Sequence, residues 1–480
     1  MNFLVLRLVR IEIRRIFVMR STPSRATPAA DPGSRGCLIG RLKSRPRHER
    51  RGNCYYREFR LATWCLGRQV SRVVTKEYPE RMIDVARADA LIIEHCAPFG
   101  AETCSLTECG GRVLREDIFA DREQPPFDRV AMDGIAIQFE AWSQGTRSFA
   151  VAGMHPAGQP APVLADAGSC YEVMTGAVLP EGADCVVRVE DVDRGEHGAT
   201  IAEDIELKPM QNVHVRGSDR EDGAQLLRAG MRLGAPEIAV AASVGHAELR
   251  VSTDPQIAVV SNGDELVDAG DPVAPYQIRR SNVYALLTAL RRTGCQCVSA
   301  HHFADDRDSI TEGLHAILNQ NDVVLLSGGV SMGRTDYIPE ALAACGVTVV
   351  FHRVLQRPGL PFWFGIGATG QRVFAMPGNP VSTLICFRRY VLPQLARCSG
   401  AGPRPAWAVL AEPFAFAKSL TCFLPVVVDS DEGRLRAEPR PTGGSGNFAA
   451  LAGTDGFVEL AAEHDAFAAG EVVPYHAWSI

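Results

Sequence analysis

The sequence predicts a multidomain α/β protein, in which a doubly wound, mostly parallel sheet with helices on both faces is flanked by small β-rich domains. A chain of 480 residues is too long for a single hydrophobic core. Strand and helix patterns alternate between residues 254 and 398, which is typical of a parallel sheet covered on both faces. Short β-rich segments broken by Gly and Pro precede and follow that region, as in small β-domains.

Charge separates the first 81 residues from the rest of the chain. They hold 19 Lys and Arg against 6 Asp and Glu, whereas the remainder holds 31 basic and 50 acidic residues. The acidic remainder argues against a broad nucleic-acid surface, and no apolar run is long enough to predict a membrane span. The fourteen cysteines show neither a CxxC pair nor zinc-ligand spacing. This pattern favours reduced thiols in a cytoplasmic protein.

The basic, non-globular extension 1–81 has no core-forming periodicity. A start codon assigned too far upstream, an organelle-targeting peptide and a basic arm all remain open as explanations. From residue 82 onward the patterns predict a helical linking domain, a small β-domain, a parallel-sheet domain and a C-terminal β-domain, with the limits 82–117 together with 212–253, 118–211, 254–398 and 403–480.

Hydrophobic periodicity assigns the elements within these limits. In the linking domain, "MIDVARADALIIEHC" and "APEIAVAASVG" have helical periods. In the sheet domain, the strand "QIAVVS" precedes the helix "SNVYALLTALRRTG", for which we predict Ser281 or Asn282 as N-cap and Gly294 as the stop. The strands that follow are "CQCVSAHHF", "DVVLL", "VTVVFHRV" and "RVFAM", and the helices are "DSITEGLHAILNQ", "TDYIPEALAACG" and "NPVSTLICFRRYVLPQL".

Three polar loops follow strands of the predicted sheet, namely "SNGDEL" (261–266), "SGGVSMG" (327–333) and "MPGNPVS" (376–382). Loops that leave the carboxyl ends of parallel strands lie on one edge, where ligands bind. The glycines of the second loop predict exposed N–H groups and no tolerance for a side chain at Gly328 or Gly329. In the third loop, Asn379 as cap and Pro380 in the first turn would leave N–H groups for an anion.

Ordinary connection chemistry explains each of these loops taken singly. Their convergence, with Asp264 and Glu265 available to a metal ion and Arg357 available to an anion, predicts a site for a phosphorylated ligand. Asp305 and Asp306 are predicted to cap the helix that follows them.

The glycine loop "SGGVSMGRTDY" and "MPGNPVS" resemble the molybdopterin molybdenumtransferases, the family that includes bacterial MoeA and the E domain of gephyrin. Further similar motifs occur in the family's order. They are "PPFDRVAMDG" (125–134), "MTGAVLPEGADCVV" (174–187), "SNGDELV" (261–267), "QIRRSN" (277–282), "RPGLP" (357–361) and "PTGGSGN" (441–447). The resemblance covers residues 82–480.

This resemblance implies a Mg²⁺-dependent enzyme of molybdenum cofactor biosynthesis, with molybdate and adenylylated molybdopterin as substrates and AMP as a product. It implies a homodimer with a site shared between subunits, and a molybdopterin adenylyltransferase and molybdoenzymes as partners. It implies catalytic roles for Asp128, Asp133, Asp264 and Asp336, and a metal site at Asp264 and Glu265. Substrate binding is implied for Thr175, Ser327, Gly328, Gly329, Ser331, Gly333, Arg357, Pro358, Pro377, Gly378, Asn379, Pro380 and Ser382.

The chain also departs from the family pattern. Ser218 replaces a glutamate, Arg280 an aspartate and Asn262 a threonine, while Arg357 and Leu360 stand where the family has lysines. The loss of two carboxylates keeps a second hypothesis open, a catalytically weak paralogue that serves as a pterin- or nucleotide-binding carrier or scaffold. A third hypothesis is the adenylyltransferase reaction of the related sheet domain.

Overall fold

The computed structural model of the protein describes residues 82–195, 198–330 and 337–478. The extension 1–81 lies outside this part of the chain, and so do the predicted site residues Ser331, Gly333 and Asp336. None of the helices within the described ranges is long and apolar enough to cross a membrane.

The N-terminal region is built around a six-stranded sheet. Its helices are α1 (Val85–Glu94), α2 (Phe139–Ser143) and α3 (Ala235–Ser243). Its strands are β1 (Ala101–Ser105), β2 (Ile118–Phe119), β3 (Arg129–Val130), β4 (Gly134–Ile137), β5 (Ser148–His155), β6 (Ser169–Val173), β7 (Cys185–Arg188), β8 (Val192–Gly195), β9 (Gly198–Ile201), β10 (Val213–His214), β11 (Gln225–Leu227) and β12 (Glu248–Ser252). The sheet has the order β7-β4-β6-β5-β9-β8, and β1/β12, β2/β11 and β3/β10 pair separately. Segments before and after the sheet therefore fold together.

The central region contains a mixed sheet of six strands in the order β16-β13-β17-β21-β20-β18. Its helices are α4 (Ser281–Arg292), α5 (Arg307–Leu318), α6 (Ile338–Ala344), α7 (Pro380–Cys386) and α8 (Leu392–Cys398), the last two joined by a π-helical turn (Phe387–Val391). The strands are β13 (Ile257–Asn262), β14 (Leu266–Val267), β15 (Ile278–Arg279), β16 (Val298–Phe303), β17 (Val323–Ser327), β18 (Thr348–His352), β19 (Gln356–Arg357), β20 (Trp363–Ile366) and β21 (Arg372–Met376). Strands β16, β13, β17 and β21 are parallel, and β20 and β18 extend the sheet antiparallel.

Alternate residues of the central strands enter two different hydrophobic cores. Ile257 and Val259 pack in the core that contains side chains of α1, α4, α7 and α8. Ala258 and Val260 pack in the core that contains side chains of α5 and α6. Because successive side chains of a strand point to opposite faces, helices cover this sheet on both sides. The multidomain α/β character predicted from the sequence is confirmed.

The C-terminal region is a β-domain whose strand pairings close on themselves. It contains β22 (Ala406–Leu410), β23 (Phe414–Ala415), β24 (Thr421–Asp431), β25 (Arg434–Pro439), β26 (Gly456–Leu460), β27 (Ala466–Phe467) and β28 (Val472–Ala477). Strand β24 pairs with both β25 and β26, so that β24, β25, β22, β28 and β26 form a closed ring. Strand β19 from the central region adds to β24 in parallel. The predicted domain limits stay predictions.

The helix ends agree with the sequence predictions in part. Asp306 caps α5 by accepting a hydrogen bond from the Ser309 N–H (2.8 Å), as predicted. Gly294, at φ +94°, follows the end of α4, where a left-handed conformation favours glycine. The predicted N-cap of α4 is wrong, since Arg280 occupies that position and Ser281 and Asn282 are helical.

A half-buried ion cluster joins the three regions of the structure. Arg389, in the π-helical turn, donates two hydrogen bonds to the Asp89 carboxylate on α1 (both 2.8 Å) and two to the Glu459 carboxylate on β26 (2.7 and 3.3 Å). His476 on β28 also contacts Glu459, at 3.0 Å. Burial opposes ionisation of Glu459, but His476 and Arg389 outweigh it and lower the pKa of this carboxyl to about 2.

Glu459 should therefore make unfolding depend on pH in the acid range. Because its pKa is lower in the folded state, its stabilisation is present above about pH 4.3 and is lost as the pH falls towards 2. We expect Glu459→Gln to lower the free energy of unfolding at pH 7 by about 3 kcal/mol, since it leaves Arg389 short of a partner. Urea unfolding of both proteins between pH 7 and pH 3 measures this, with the exposed Glu340→Gln as control. Parallel pH profiles for Glu459→Gln and the unsubstituted protein would contradict the assignment.

Candidate functional site

A cavity of about 780 Å³ lies at the carboxyl ends of the parallel strands. We call it the sheet-edge cavity. All three polar loops predicted from the sequence contribute to its lining, as does the "PTGGSGN" segment through Gly446. The predicted residues that it brings together are Glu265, Ser327, Gly328, Gly329, Pro377, Gly378, Asn379 and Pro380. Its size and its mixture of backbone and polar side chains fit a small-molecule ligand.

The side chain of Asn282, in the first turn of α4, connects the loops of this cavity. Its Nδ2 donates to Ser327 Oγ (2.8 Å) after β17, to the Gly378 carbonyl (2.8 Å) after β21 and to Thr383 Oγ1 (3.1 Å) on α7. Its Oδ1 is buried and has no hydrogen-bond partner within the described ranges. From the sequence, Asn282 is predicted as a helix N-cap and belongs to the motif "QIRRSN". Its contacts could not be predicted, because the partners are 45 to 101 residues away along the chain.

The glycine loop after β17 is held closely against its neighbours. The Gly328 N–H donates to the Met376 carbonyl (3.1 Å), so this N–H is engaged by the protein itself. Gly328 and Gly329 have φ values of +103° and +69°, a region that disfavours other residues. A Cβ atom on Gly329 would lie 2.5 Å from Ile338 Cγ1 and 2.8 Å from Asn262 Oδ1. The glycines are thus required by the loop's own packing, whatever the ligand does.

The start of α7 is likewise closed by the protein. The Val381 N–H donates to the Ser445 carbonyl (3.1 Å), and the Asn379 amide donates to Ser445 Oγ (2.9 Å). Asn379 is the N-cap residue but makes no side-chain hydrogen bond to the helix. The expectation that these N–H groups all remain available to an anion is therefore wrong for Val381. The "PTGGSGN" segment of the C-terminal region occupies that position.

Acidic side chains line one side of the sheet-edge cavity. Glu265 and Asp305 contribute to its lining. Asp264 does not line the cavity, and its carboxylate accepts a hydrogen bond from the Asp305 N–H (3.1 Å). The Asn262 amide donates to Asp305 Oδ1 (3.3 Å), which orients that carboxylate. Asp305, predicted as a helix cap on the edge where the three loops meet, is thus a residue of the cavity lining.

The acidic side of the cavity offers two carboxylates, those of Glu265 and Asp305, to a metal ion. No group of three His, Cys, Asp or Glu side chains suited to a metal occurs in the part of the chain that the structure describes. Mg²⁺ commonly uses one or two carboxylates together with substrate phosphates and water. Glu265 and Asp305 would supply the carboxylates, whereas Asp264 is directed to the backbone of Asp305.

Arg280 also lines the cavity, but its guanidinium is paired within the protein. Arg280 Nη2 forms an ion pair with the Asp268 carboxylate, to which the Tyr284 hydroxyl also donates. The hydrogen bonds from Arg280 and Tyr284 hold the pKa of Asp268 well below its ordinary value. The arginine that replaces the family's aspartate is therefore balanced by a neighbouring carboxylate.

Arg357 lies in a second cavity, of about 530 Å³, between the central and C-terminal regions. We call it the junction cavity. Pro358, Leu360 and Ser382 also line it, and it shares Pro361, Pro377 and Asn379 with the sheet-edge cavity. Arg357 is in this second cavity because β19 pairs with β24 of the C-terminal ring.

The remaining predicted site residues lie in the N-terminal region. Asp133 Oδ1 accepts hydrogen bonds from the Thr175 N–H and hydroxyl (both 2.7 Å), and these lower the pKa of the exposed Asp133 carboxyl. Asp128 Oδ1 accepts a hydrogen bond from the Arg216 N–H (2.8 Å). Asp128, Asp133 and Thr175 line neither of the two cavities within one chain.

Comparison with known proteins identifies the family of this chain. Sequence models of the MoeA N-terminal region (domain I and II), a probable molybdopterin binding domain and the MoeA C-terminal region (domain IV) match residues 83–245, 258–397 and 407–478. The chain belongs to the MoeA family. The MoeA-family molybdopterin molybdenumtransferase of Synechocystis sp. is 39% identical over 399 residues, which cover 83% of this chain and 100% of that protein.

Other relatives agree with the family assignment. The molybdopterin molybdenumtransferase of Haemophilus influenzae is 30% identical, with 82% of this chain and 98% of that protein covered. The crystal structure of the molybdopterin biosynthesis moeA protein from Pyrococcus horikoshii OT3 superposes with a TM-score of 0.69 at 26% identity, covering 83% of this chain and 100% of that chain. The MoeA fold therefore extends across the central, N-terminal and C-terminal regions.

Removal of the Asn282 amide should loosen the loops of the sheet-edge cavity. Asn282→Ala leaves three acceptors without their shared donor, so we expect a loss of about 2 kcal/mol in the free energy of unfolding. Hydrogen exchange should become faster for the N–H groups of 327–330 and 377–383. Asn319→Ala, at the exposed end of α5, is the matched control. Unchanged exchange in these segments would show that Asn282 does not hold them.

Proposed function

We propose that the protein acts in molybdenum cofactor biosynthesis, as a transferase that inserts molybdenum from molybdate into adenylylated molybdopterin and releases AMP. The convergence of three separate loops on the sheet-edge cavity, in a chain that matches the MoeA family over nearly all of its described length, carries this proposal. Molybdopterin molybdenumtransferase is the name of the relatives from Synechocystis and Haemophilus.

In this proposal the sheet-edge cavity binds the phosphates and the adenylate. Glu265 and Asp305 hold Mg²⁺, and the bound ion would neutralise charge on the phosphate oxygens as the anhydride is cleaved. The Asn262 amide keeps the Asp305 carboxylate oriented towards the cavity through their 3.3 Å hydrogen bond. Ser327 and Gly378, which Asn282 holds together, provide the surface against which the ligand packs.

We assign molybdate binding to the junction cavity. Arg357 supplies the positive charge for this oxyanion there, and Ser382 and the adjoining prolines shape the wall. Because the two cavities share Pro361, Pro377 and Asn379, a substrate with its nucleotide in one cavity can extend its pterin towards the other. Leu360 provides an apolar surface in the junction cavity where the family has a lysine.

We further propose a cytoplasmic homodimer in which Asp128, Asp133 and Thr175 complete the cavity of the partner subunit. Asp133 is exposed, ionised and fixed by Thr175, yet it lines neither cavity of its own chain. The flanking Met132 and Met174 are 46% and 42% exposed, which is consistent with a surface covered by another subunit. Within the pathway, a molybdopterin adenylyltransferase would deliver the substrate and molybdoenzymes would receive the product.

The second candidate function is a pterin- or nucleotide-binding carrier with little turnover. The ion pair between Arg280 and Asp268 favours this carrier function. Arg280 places a cation at the cavity where the family has a carboxylate, and it neutralises the charge of Asp268. A carrier would bind the adenylylated pterin without cleaving it. Measurement of binding and AMP release on the same sample separates the two functions.

Turnover should depend on the two cavity carboxylates. With adenylylated molybdopterin, molybdate and Mg²⁺ we expect AMP release and activation of a molybdenum-free molybdoenzyme. Glu265→Gln and Asp305→Asn should each lower kcat/KM at least tenfold at limiting Mg²⁺, because each replaces a negatively charged carboxylate ligand by a neutral amide. The control is Asp308→Asn, in the first turn of α5 and outside the cavity. Ligand binding without AMP release would refute the transferase and support the carrier.

Arg280 should set the Mg²⁺ requirement. Arg280→Gln removes a positive charge from the cavity lining and leaves the Asp268 carboxylate without its ion-pair partner, so the Mg²⁺ concentration for half-maximal AMP release should fall roughly fivefold. Arg307→Gln, which breaks an exposed pair with Glu340 outside the cavity, is the control. A higher Mg²⁺ requirement, or weaker substrate binding at saturating Mg²⁺, would show instead that Arg280 contacts the substrate anion.

A further inference from the structure

Two cysteines from distant parts of the chain meet behind the central sheet. Cys96 follows the end of α1, and Cys398 is the last residue of α8, 302 positions later. Their sulfur atoms are 2.8 Å apart. A disulfide bond of about 2.05 Å thus requires them to approach by less than about 1 Å. Neither cysteine lines the sheet-edge cavity or the junction cavity.

The backbone around this pair is already fixed. The Phe99 N–H donates to the Cys398 carbonyl (2.8 Å), and the Gln394 amide on α8 donates to the Ile92 carbonyl on α1 (3.2 Å). These contacts hold the end of α1 against α8 on both sides of the two sulfur atoms. Formation of a disulfide would therefore need side-chain rotation and no displacement of either helix.

The surroundings favour a reactive thiolate on one partner. The hydrogen bond with Cys398, and then the positive charges of Arg372 and Arg397, lower the pKa of Cys96 to about 7 against the opposing effect of burial. Arg372 donates to the Ala97 carbonyl, and its buried Nε has no partner among the residues that the structure describes. The same hydrogen bond and burial raise the pKa of Cys398, which makes it the thiol that donates to Cys96.

The two cysteines also differ in their exposure to solvent. Cys96 is partly exposed, whereas Cys398 is fully buried. Cys96 is thus the more accessible of the two residues to an oxidant, and Cys398 is shielded from it. Cys104 and Cys345 are also partly exposed, but burial raises the pKa of each thiol.

We propose that Cys96 and Cys398 form a site of reversible disulfide formation, which small disulfide compounds oxidise and thiols reduce. The Cys96 thiolate attacks one sulfur of the oxidant RSSR, forming a mixed disulfide and releasing RS⁻. The departing RS⁻ takes the proton of Cys398, whose thiolate then attacks the Cys96 sulfur, and the second RS⁻ leaves. The net reaction oxidises two protein thiols by two electrons and reduces one disulfide compound to two thiols.

The bond would tie the first described helix to the last helix of the central region. It would close a loop of about 300 residues, and a cross-link of that length strongly restricts the unfolded chain. Both ends are already in contact in the reduced protein, so the change concerns resistance to unfolding rather than the shape of either cavity. The proposal is independent of the reaction assigned to the sheet-edge cavity.

The test uses the full chain, treated with oxidised glutathione at pH 7 and then with an alkylating reagent. Peptide mass spectrometry should find a Cys96–Cys398 disulfide that dithiothreitol removes, and the oxidised protein should unfold about 5 °C higher than the reduced protein. In the reduced protein, Cys96 should be alkylated about tenfold faster than Cys345, in line with its larger thiolate fraction.

Variants separate the pair from its surroundings. Cys398→Ser should leave Cys96 as a stable glutathione adduct, and Cys96→Ser should leave Cys398 unmodified. Cys345→Ser, which replaces a partly exposed thiol that is bonded to no other cysteine in the part of the chain that the structure describes, should behave like the unsubstituted protein. A stable adduct on Cys96 in the unsubstituted protein, a disulfide between other cysteines, or no reaction of Cys96 would each overturn the proposal.

Discussion

The site depends on one side-chain amide, that of Asn282. Parallel strands deliver their carboxyl ends to one edge, but topology alone leaves the loops beyond them independent of each other. Asn282 joins the end of β17, the turn after β21 and helix α7 through one amide nitrogen, whose two hydrogens are shared among three acceptors. It can do so because it lies in the first turn of α4, where side chains lean back over the helix start. These contacts connect the loops that form one wall of the sheet-edge cavity.

A second constraint concerns the backbone groups of that wall. The Gly328 and Val381 N–H groups donate to carbonyls of Met376 and Ser445 rather than opening into the cavity. The glycines therefore serve close packing between the loops. A Cβ atom added to Gly378, for example, would lie 3.4 Å from Gly328 Cα. In the function proposed above, recognition of an anionic ligand consequently relies more on side chains and a bound metal ion than a glycine-rich sequence suggests.

The sequence was sufficient to predict the elements that local pattern determines. The strands β13, β17 and β21, helices α4 and α5, and the meeting of their loops follow from periodicity and from the geometry of parallel sheets. Three features could not be predicted: the bonds of Asn282, the pairing of Arg280 with Asp268, and the addition of β19 to the C-terminal ring. Each joins residues whose meeting is determined by tertiary packing and leaves no periodic signal. The family motifs identified Asp133 and Thr175, but their hydrogen bonds to each other needed the structure.

The addition of β19 to β24 limits where this chain can be divided into independent domains. The chain leaves the central sheet after β18, contributes the two residues of β19 to the C-terminal ring and returns to the central sheet as β20. A gene segment that ends before residue 406 would thus encode a central domain with an unpaired strand and an open apolar surface beside it. The C-terminal ring is consequently not a module that can be exchanged independently of the central region. Recombination between relatives would have to move the ring together with the 356–357 segment that completes it.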